Sequence, residues 1–394
     1  MSSMSRDESP LVERMHQHSR TVFGEMSALA TRLGAVNLGQ GFPDQDGPEV
    51  LRDVAIAAIR DGRGNQYPPA HGLPELRRSI ADHQWRFYGL RLDWETDVVV
   101  TTGASEAIAA TLLALVTTGD EVVMFDPAFD LYQADVALAG AASVSVALAS
   151  PDLRPDLTAL AAAITPRTRL ILINSPHNPT GIVFTRAELE GIARIAVDHD
   201  LLVLADEAYE HLWFDDFRHI PIATLPGMWE RTVTIGSGGK SFSFTGWKVG
   251  WATGPAYLID AVKVVRQHLS FVSSGPFQWA IASGLQLPDA YFDDFRHDLA
   301  RQRDLLALGL RNLGMRVLTP QGTYFISTDV TPLGFESGAQ FCEWIPDNAG
   351  VVAIPMSALS DHHDADSFVR WAFCKRPETL RVALERLTAV LPRR

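Results

Sequence analysis

Between about residues 95 and 255 the apolar positions fall into short runs rich in β-branched residues, ending in Gly, Pro or Asp and alternating with longer stretches of helical period. The runs are 98–102, 121–126, 143–147, 169–174, 201–205, 232–235 and 249–253. Residues 170–173 and 201–205 are apolar at every position, as strands buried on both faces must be. Stretches such as 188–198 supply the helices between them, so the pattern predicts an α/β fold with a mostly parallel central sheet covered by helices. After about residue 290 the texture changes to a long charged helical pattern at 291–313. Short runs at 323–328, 351–354 and 368–373 follow, then a last helix, which predicts a smaller α+β domain. The division expected is an N-terminal arm and part of the small domain at 1–45, a large domain at 46–289 and the small domain at 290–394.

Composition narrows the function. At 394 residues with 46% hydrophobic and 21% charged residues, the chain buries a sizeable core without staples or metal. Its formal net charge of −13 lacks the basic footprint that nucleic acid or an anionic membrane needs, so neither is an expected partner. Residues 1–10 have no apolar core and do not read as a secretory signal. The strongest apolar run, 107–116, is far shorter than the roughly 20 residues that span a bilayer. Two cysteines, Cys342 and Cys374, form neither a disulfide framework nor a metal motif, and a reducing cytoplasmic setting is expected.

In such sheets ligands sit beyond the carboxyl ends of the strands, so the residues there carry the chemistry. Run 98–102 leads into Gly103-Ala-Ser-Glu-Ala107 and a helix, whose N-terminal amides suit a phosphate as well as they suit an ordinary capped turn. Asn174-Ser-Pro-His-Asn-Pro-Thr-Gly181 is a stiff loop able to present Asn178 as an amide donor, or merely to redirect the chain. Asp206, at the end of a fully buried run, calls for a cationic partner unless it simply caps a helix, and Tyr209 lies three residues on. Gly239-Lys240-Ser241 suggests a P-loop at first sight. The required glycine five residues before Gly239 is Thr234, so that reading fails. A lysine in a Gly/Ser-rich loop between sheet strands is instead placed for Schiff-base chemistry, in which a desolvated amine condenses with a carbonyl.

A phosphate cradle, a buried Asp, an Asn, a Tyr and a loop lysine are together what pyridoxal phosphate requires. The chain resembles the fold-type I, class I/II pyridoxal-phosphate-dependent aminotransferases from about Val36 to near its end. The resemblance rests on Val36-Asn-Leu-Gly-Gln-Gly-Phe-Pro-Asp44, Asn65-Gln-Tyr67, Asp126-Pro-Ala-Phe-Asp130, the loops already quoted, Ser237 to Gly250, and Val369-Arg-Trp-Ala-Phe373. It implies that Lys240 forms the Schiff base and shuttles a proton. Asp206 then pairs with the pyridine nitrogen, Asn178 and Tyr209 donate to the ring oxygen, and Phe129 stacks on the ring. Gly103, Ala104, Ser105, Ser237 and Lys248 hold the phosphate; Lys248 stands where relatives often carry arginine. Tyr67 reaches the phosphate of a neighbouring copy, which implies a homodimer with shared sites. Arg370 clamps the substrate carboxylate with help from Gly41.

The reaction so implied is ping-pong transfer of an amino group between an L-amino acid and a 2-oxo acid. Trp247-Lys248 and Pro226-Gly-Met-Trp-Glu-Arg231 resemble kynurenine and glutamine transaminases, which commonly have an aromatic at the place of Ser105. Gly103 to Ala107, Gly275-Pro-Phe-Gln278, Pro332-Leu-Gly334 and Phe373-Cys-Lys-Arg376 are more similar to bacterial N-succinyldiaminopimelate aminotransferases. Specificity is expected at Phe23, Ser105 and Phe271. Two other readings stand beside transamination: β-elimination from cysteine S-conjugates at the same site, and a non-catalytic sensor on this fold, which the missing basic domain disfavours.

Overall fold

The structure, a computed structural model, describes residues 10–391, so the expectation for 1–10 falls outside it except at Pro10. The chain enters through α1 (Val22–Leu33), where Thr21 caps the helix by accepting from the Gly24 amide, and β1 (Val36–Asn37). Helices α2 (Glu49–Arg60) and α3 (Pro74–Tyr88) lead to β2 (Val98–Thr101). Strand and helix then alternate through α4 (Gly103–Leu115), β3 (Glu121–Asp126), α5 (Leu131–Ala139), β4 (Ala142–Ala147) and α6 (Leu157–Ala163). The alternation continues with β5 (Thr168–Asn174), α7 (Arg186–Asp198), β6 (Leu202–Asp206), β7 (Thr232–Ser237), the single turn α8 (Gly238–Ser241) and β8 (Gly250–Thr253). Helices α9 (Ala256–Leu269) and α10 (Gly275–Leu285) precede the long α11 (Asp289–Asn312). The remainder is β9 (Arg316–Leu318), β10 (Phe325–Asp329), α12 (Gly338–Ala349), β11 (Val351–Val352), β12 (Ile354–Pro355), β13 (Phe368–Ala372) and α13 (Pro377–Val390).

The larger sheet has seven strands in the order β2-β8-β7-β6-β5-β3-β4, with every pair parallel except the two made by β8. Its strands divide their side chains by alternate residues between two apolar cores. Val122, Met124, Leu170, Leu172, Leu202 and Leu204 pack on the face covered by α4 and α9. Val123, Phe125, Ile171, Ile173, Val203 and Ala205 pack with Leu160 of α6 and Leu189 and Ile192 of α7. Burial on both faces is why these runs carry no polar alternation. The smaller sheet is antiparallel, β12-β13-β10-β9, with α11, α12 and α13 packed over it. The single run expected at 351–354 divides: β11 pairs with β1, and β12 pairs with β13. The chain crosses from one sheet to the other at buried Ala353.

Register brings chemistry-bearing residues to one edge of the larger sheet. Asn174 lies opposite Asp206, Asp206 opposite Ile235, Ser237 opposite Gly250, and Gly250 opposite Thr101. Gly250 must be glycine, because a Cβ there would stand 2.5 Å from the Gly103 carbonyl carbon and 2.6 Å from the Ala104 nitrogen. Behind this edge His83 and His211 face each other with Nε2 atoms 2.7 Å apart, beside Glu210, which accepts from Gln84 Nε2 at 3.3 Å. Burial holds His83 down to about 3 and pushes Glu210 up to about 7. The cluster is therefore neutral in mildly acidic solution and ties α3 to the turn that follows β6.

A carboxyl raised above its unfolded value stabilises the fold below the unfolded pKa and loses that contribution as pH rises through the folded one. Between pH 4.5 and 7.5 the wild type should lose stability relative to Glu210→Gln by up to ~3 kcal/mol, read as the difference in urea midpoints across that range. Parallel pH curves for the two proteins would show that Glu210 is ionised in the fold.

Candidate active site

A cavity of about 270 Å³ opens where the sheet edge meets β10 and β13. It is lined by Lys240, Asp206, Tyr209, Asn178, Arg370, Phe129, Phe23, Gly41, Gly103, Ala104, Ser105, Ser237 and Lys248. Thirteen of the residues singled out from the sequence thus come together from segments spread over the chain. Tyr67 and Phe271 do not line it. Tyr67 is 80% exposed and packs edge-on against the half-exposed Phe271 ring, with centroids 5.4 Å apart.

Lys240 sits on α8, the turn that β7 feeds. Its Nζ donates to Tyr324 Oη at 2.9 Å, and Tyr324 donates to the Gly41 carbonyl at 2.8 Å. Burial lowers the Lys240 pKa to about 8, with Lys248 and Arg370 acting in the same direction and Asp206 against it. At pH 8 half of such amines are neutral, against roughly 0.3% at the ordinary lysine value. The geometry therefore supplies a nucleophilic amine near neutral pH.

Asp206 ends β6, is buried, and accepts from Tyr132 Oη at 2.6 Å and from the Ala208 amide at 3.0 Å. Desolvation raises its pKa in spite of these bonds. Among the described residues no cation lies within salt-bridge distance of it, so the carboxylate is disposed toward a cationic group held in the cavity. The sequence reading expected such a partner. It missed Tyr132, which supplies the hydroxyl and lies only three residues beyond Phe129.

Arg370 stands in β13 opposite Ser327 and Ile354, 1% exposed. It donates from Nη1 to Asn178 Oδ1 and from Nη2 to the Gly39 carbonyl, both at 2.8 Å, and its Nε is buried without a partner. The ring of Phe325 lies 4.0 Å from its guanidinium carbon and that of Phe23 4.8 Å. Burial pulls its pKa down to about 10. Asn178, with Oδ1 engaged, keeps its amide nitrogen for donation. Gly39 rather than Gly41 contacts Arg370, and Gly41 binds Tyr324 instead. Tyr324 was missed because nothing in Gly322-Thr-Tyr-Phe325 distinguishes a site tyrosine from a core one in sequence.

The opposite wall suits an anion. Helix α4 begins at Gly103 (φ +76) with no side chain capping its amides. Lys248 Nζ is 3.5 Å from Ser105 Oγ, and a Cβ on Gly103 would meet that same Nζ at 3.1 Å. Free amides, a helix N-terminus, two hydroxyls and an ammonium make a phosphate cradle. With the carboxylate of Asp206 at one side and the amine of Lys240 between, the residues present fit pyridoxal phosphate: anion, ring nitrogen and carbonyl each meet a complementary group.

Residues 34–387 match the family "Aminotransferase class I and II". The chain is 50% identical to the probable N-succinyldiaminopimelate aminotransferase of Mycobacterium tuberculosis, covering 97% of this chain and 99% of that protein. It is 36% identical to the methionine aminotransferase of Escherichia coli, over 96% and 98%. The crystallised N-succinyldiaminopimelate aminotransferase from M. tuberculosis superposes with a TM-score of 0.95 at 50% identity, covering 96% of this chain and all of that one. Aspartate aminotransferase from Thermus thermophilus with maleate superposes at 0.90 with 32% identity, over 98% and 100%.

A lysine of pKa about 8 makes the pH dependence of recombination specific. The rate at which cofactor-free protein recombines with pyridoxal phosphate should climb about tenfold per unit below pH 8 and level off above it. Following the visible band by stopped flow checks this. A profile still rising at pH 10 would place the amine in water, and Lys240→Ala should give a folded protein with no such band and no turnover.

Proposed function

The chain belongs to the class I and II aminotransferases and is a pyridoxal-phosphate-dependent enzyme; from that premise we propose the role of each residue in the cavity and the substrate it takes. The observation that carries the reading is that three buried ionisable groups, Lys240, Asp206 and Arg370, line one cavity beside an uncapped helix N-terminus. Pyridoxal phosphate, once bound, supplies the carbonyl that condenses with amines and the electron sink that makes a Cα proton acidic.

Everything else is the work of the chain. Gly103, Ala104, Ser105, Ser237 and Lys248 hold the phosphate, and Asp206, kept in place by Tyr132, keeps the ring nitrogen protonated. Tyr209 and Asn178 donate to the ring oxygen, and Phe129 packs against the ring face. Arg370 takes the substrate α-carboxylate, its buried Nε and fork geometry being available for that contact, and Gly39 and Gly41 are held close by Arg370 and Tyr324. Lys240, released as a neutral amine, moves the proton from Cα. We take the chain to divide into an arm at 1–45, a large domain at 46–289 and a small domain at 290–394, a reading supported by the different segments that line the cavity.

For the substrate we take N-succinyldiaminopimelate as donor and 2-oxoglutarate as acceptor. Identity of 50% over nearly the whole chain to a protein of that name supports this over the 36% relatives. So does Ser105, whose small side chain on the cavity wall leaves room for a long polar donor where kynurenine-type enzymes commonly carry an aromatic. Two copies sharing their sites complete the reading, supported by the exposed Tyr67–Phe271 pair. A cytoplasmic location accords with two buried, unbridged cysteines.

N-Succinyl-LL-diaminopimelate should convert the yellow form of the purified enzyme to the pyridoxamine form at concentrations where methionine, kynurenine and cysteine S-conjugates leave it unchanged. Preferential bleaching by methionine or kynurenine would reassign the donor, and pyruvate release from an S-conjugate without an oxo acid would move the chemistry to β-elimination. In sedimentation the protein should run as a dimer, with Tyr67→Phe weakening cofactor retention. A monomer with full activity would remove Tyr67 from the site.

A further inference from the structure

A second cavity, of about 220 Å³, also ends at Lys240, and Lys240 is the one residue its lining shares with the first. Its mouth is formed by the exposed side chains of Gln45, Asp46 and Asp298, and its floor by buried Tyr324, Cys374 and Gln302 beside the lysine. Gln302 is 8% exposed, and its Oε1 has no hydrogen-bond partner. Asp298 and Gln302 are one helical turn apart on α11, so this face of the helix runs from solvent down to the amine. A buried carbonyl oxygen without a donor, in a space of mixed polar and apolar lining open to the surface, is a place where water binds.

We propose that this cavity is a water-filled passage through which Lys240 exchanges protons with bulk solvent, separate from the cavity that takes cofactor and substrate. The proposal rests on the proton-shuttling role given to Lys240 above. After Lys240 accepts the Cα proton its amine carries three protons that interchange by rotation. One passes to a passage water and that water returns one, so charge and atoms are unchanged while the identity of the transferred proton is lost. The buried titratable groups facing this space do not intercept it, and the Asp46 and Asp298 carboxylates stand exposed at its mouth. Burial raises Tyr324, pushes the Cys374 thiol up to about 11 and raises Tyr291, so all three stay protonated near neutral pH. Part of every Cα proton therefore escapes to solvent even when the front of the site is closed over its substrate.

Cys374 reports on the passage because it lines this cavity and not the first, and Cys342, on the buried face of α12, is the internal control. The experiment uses the enzyme with cofactor bound, its visible band and its response to an amino donor recorded first. It is then treated with methyl methanethiosulfonate, and each cysteine peptide is followed by mass. Cys374 should be modified in the folded holoenzyme while Cys342 stays free. Plugging the mouth with Asp298→Phe, or independently Gln45→Trp, should slow that modification roughly tenfold. In the half-reaction with Cα-deuterated donor, the same plugs should raise the deuterium kept on the product amine roughly twofold. Inert Cys374, modification that neither plug slows, or deuterium retention that neither plug raises would each overturn the passage. A protein with no visible band or no response to any donor would instead fail the assignment of Lys240, before the passage is reached.

Discussion

The site depends on keeping one amine out of water. Lys240 is near half-neutral at pH 8 because burial costs its charged form more than its neighbours restore, with Lys248 and Arg370 opposing the charge and Asp206 favouring it. A desolvated amine must still be hydrogen-bonded, and here the partner comes from 84 residues away, as the Tyr324 hydroxyl on the approach to β10. Tyr324 in turn holds the Gly41 carbonyl, while Arg370 in the smaller sheet holds the Gly39 carbonyl. The bonds that set the state of the lysine and the position of the carboxylate clamp therefore also fix residues 39–41 against the cavity. A change in any one of these groups is felt by the other two.

Buried charge left short of partners marks the rest of the cavity. Among the described residues Asp206 has a tyrosine hydroxyl and an amide but no cation, and Arg370 has an amide oxygen and a carbonyl but no carboxylate in contact. Neither arrangement stabilises the fold, since burying an ion without an opposite charge is unfavourable. Each leaves a place for a ligand that brings the missing charge, a cation at Asp206 and an anion at Arg370. The two deficits have opposite sign and occupy different walls, so they orient a zwitterionic adduct as well as hold it. The His83–Glu210–His211 cluster behind the sheet edge behaves differently, because burial disfavours the charged form of each member and leaves the cluster neutral.

The strands were legible because burial on both faces leaves an unbroken apolar signature, and the motif residues were legible because they follow those strands directly. Lys240, Asp206, Asn178 and the α4 turn all lie within a few residues of a strand end, where the chain order itself carries the geometry. Tyr132 and Tyr324 were not legible. Each acts across 74 or more residues through a single hydroxyl, and an isolated tyrosine in an apolar stretch reads as core. The run at 351–354 misled for a related reason: periodicity describes the local chain, and which sheet a short segment joins is decided by partners at Val36 and Val369. Tyr67 and Phe271 do not line the cavity of the single chain and pack on each other instead.

The division between the common chemistry and the choice of substrate follows from what each wall presents. Lys240, Asp206, Arg370 and the uncapped start of α4 present an amine, a carboxylate, a guanidinium and free amides, groups that complement what all α-amino acids share and are indifferent to the side chain. What remains to discriminate donors is a small set of surfaces, chiefly Phe23, Ser105 and the mouth of the cavity. An apolar contact there separates substrates by only ~1–3 kcal/mol, whereas a buried polar group built for one donor rejects another far more strongly. Lys248 reaches that wall with its Nζ 3.5 Å from the Ser105 hydroxyl. As a compact ammonium on a flexible stem it adapts to its anion more readily than a guanidinium fork would.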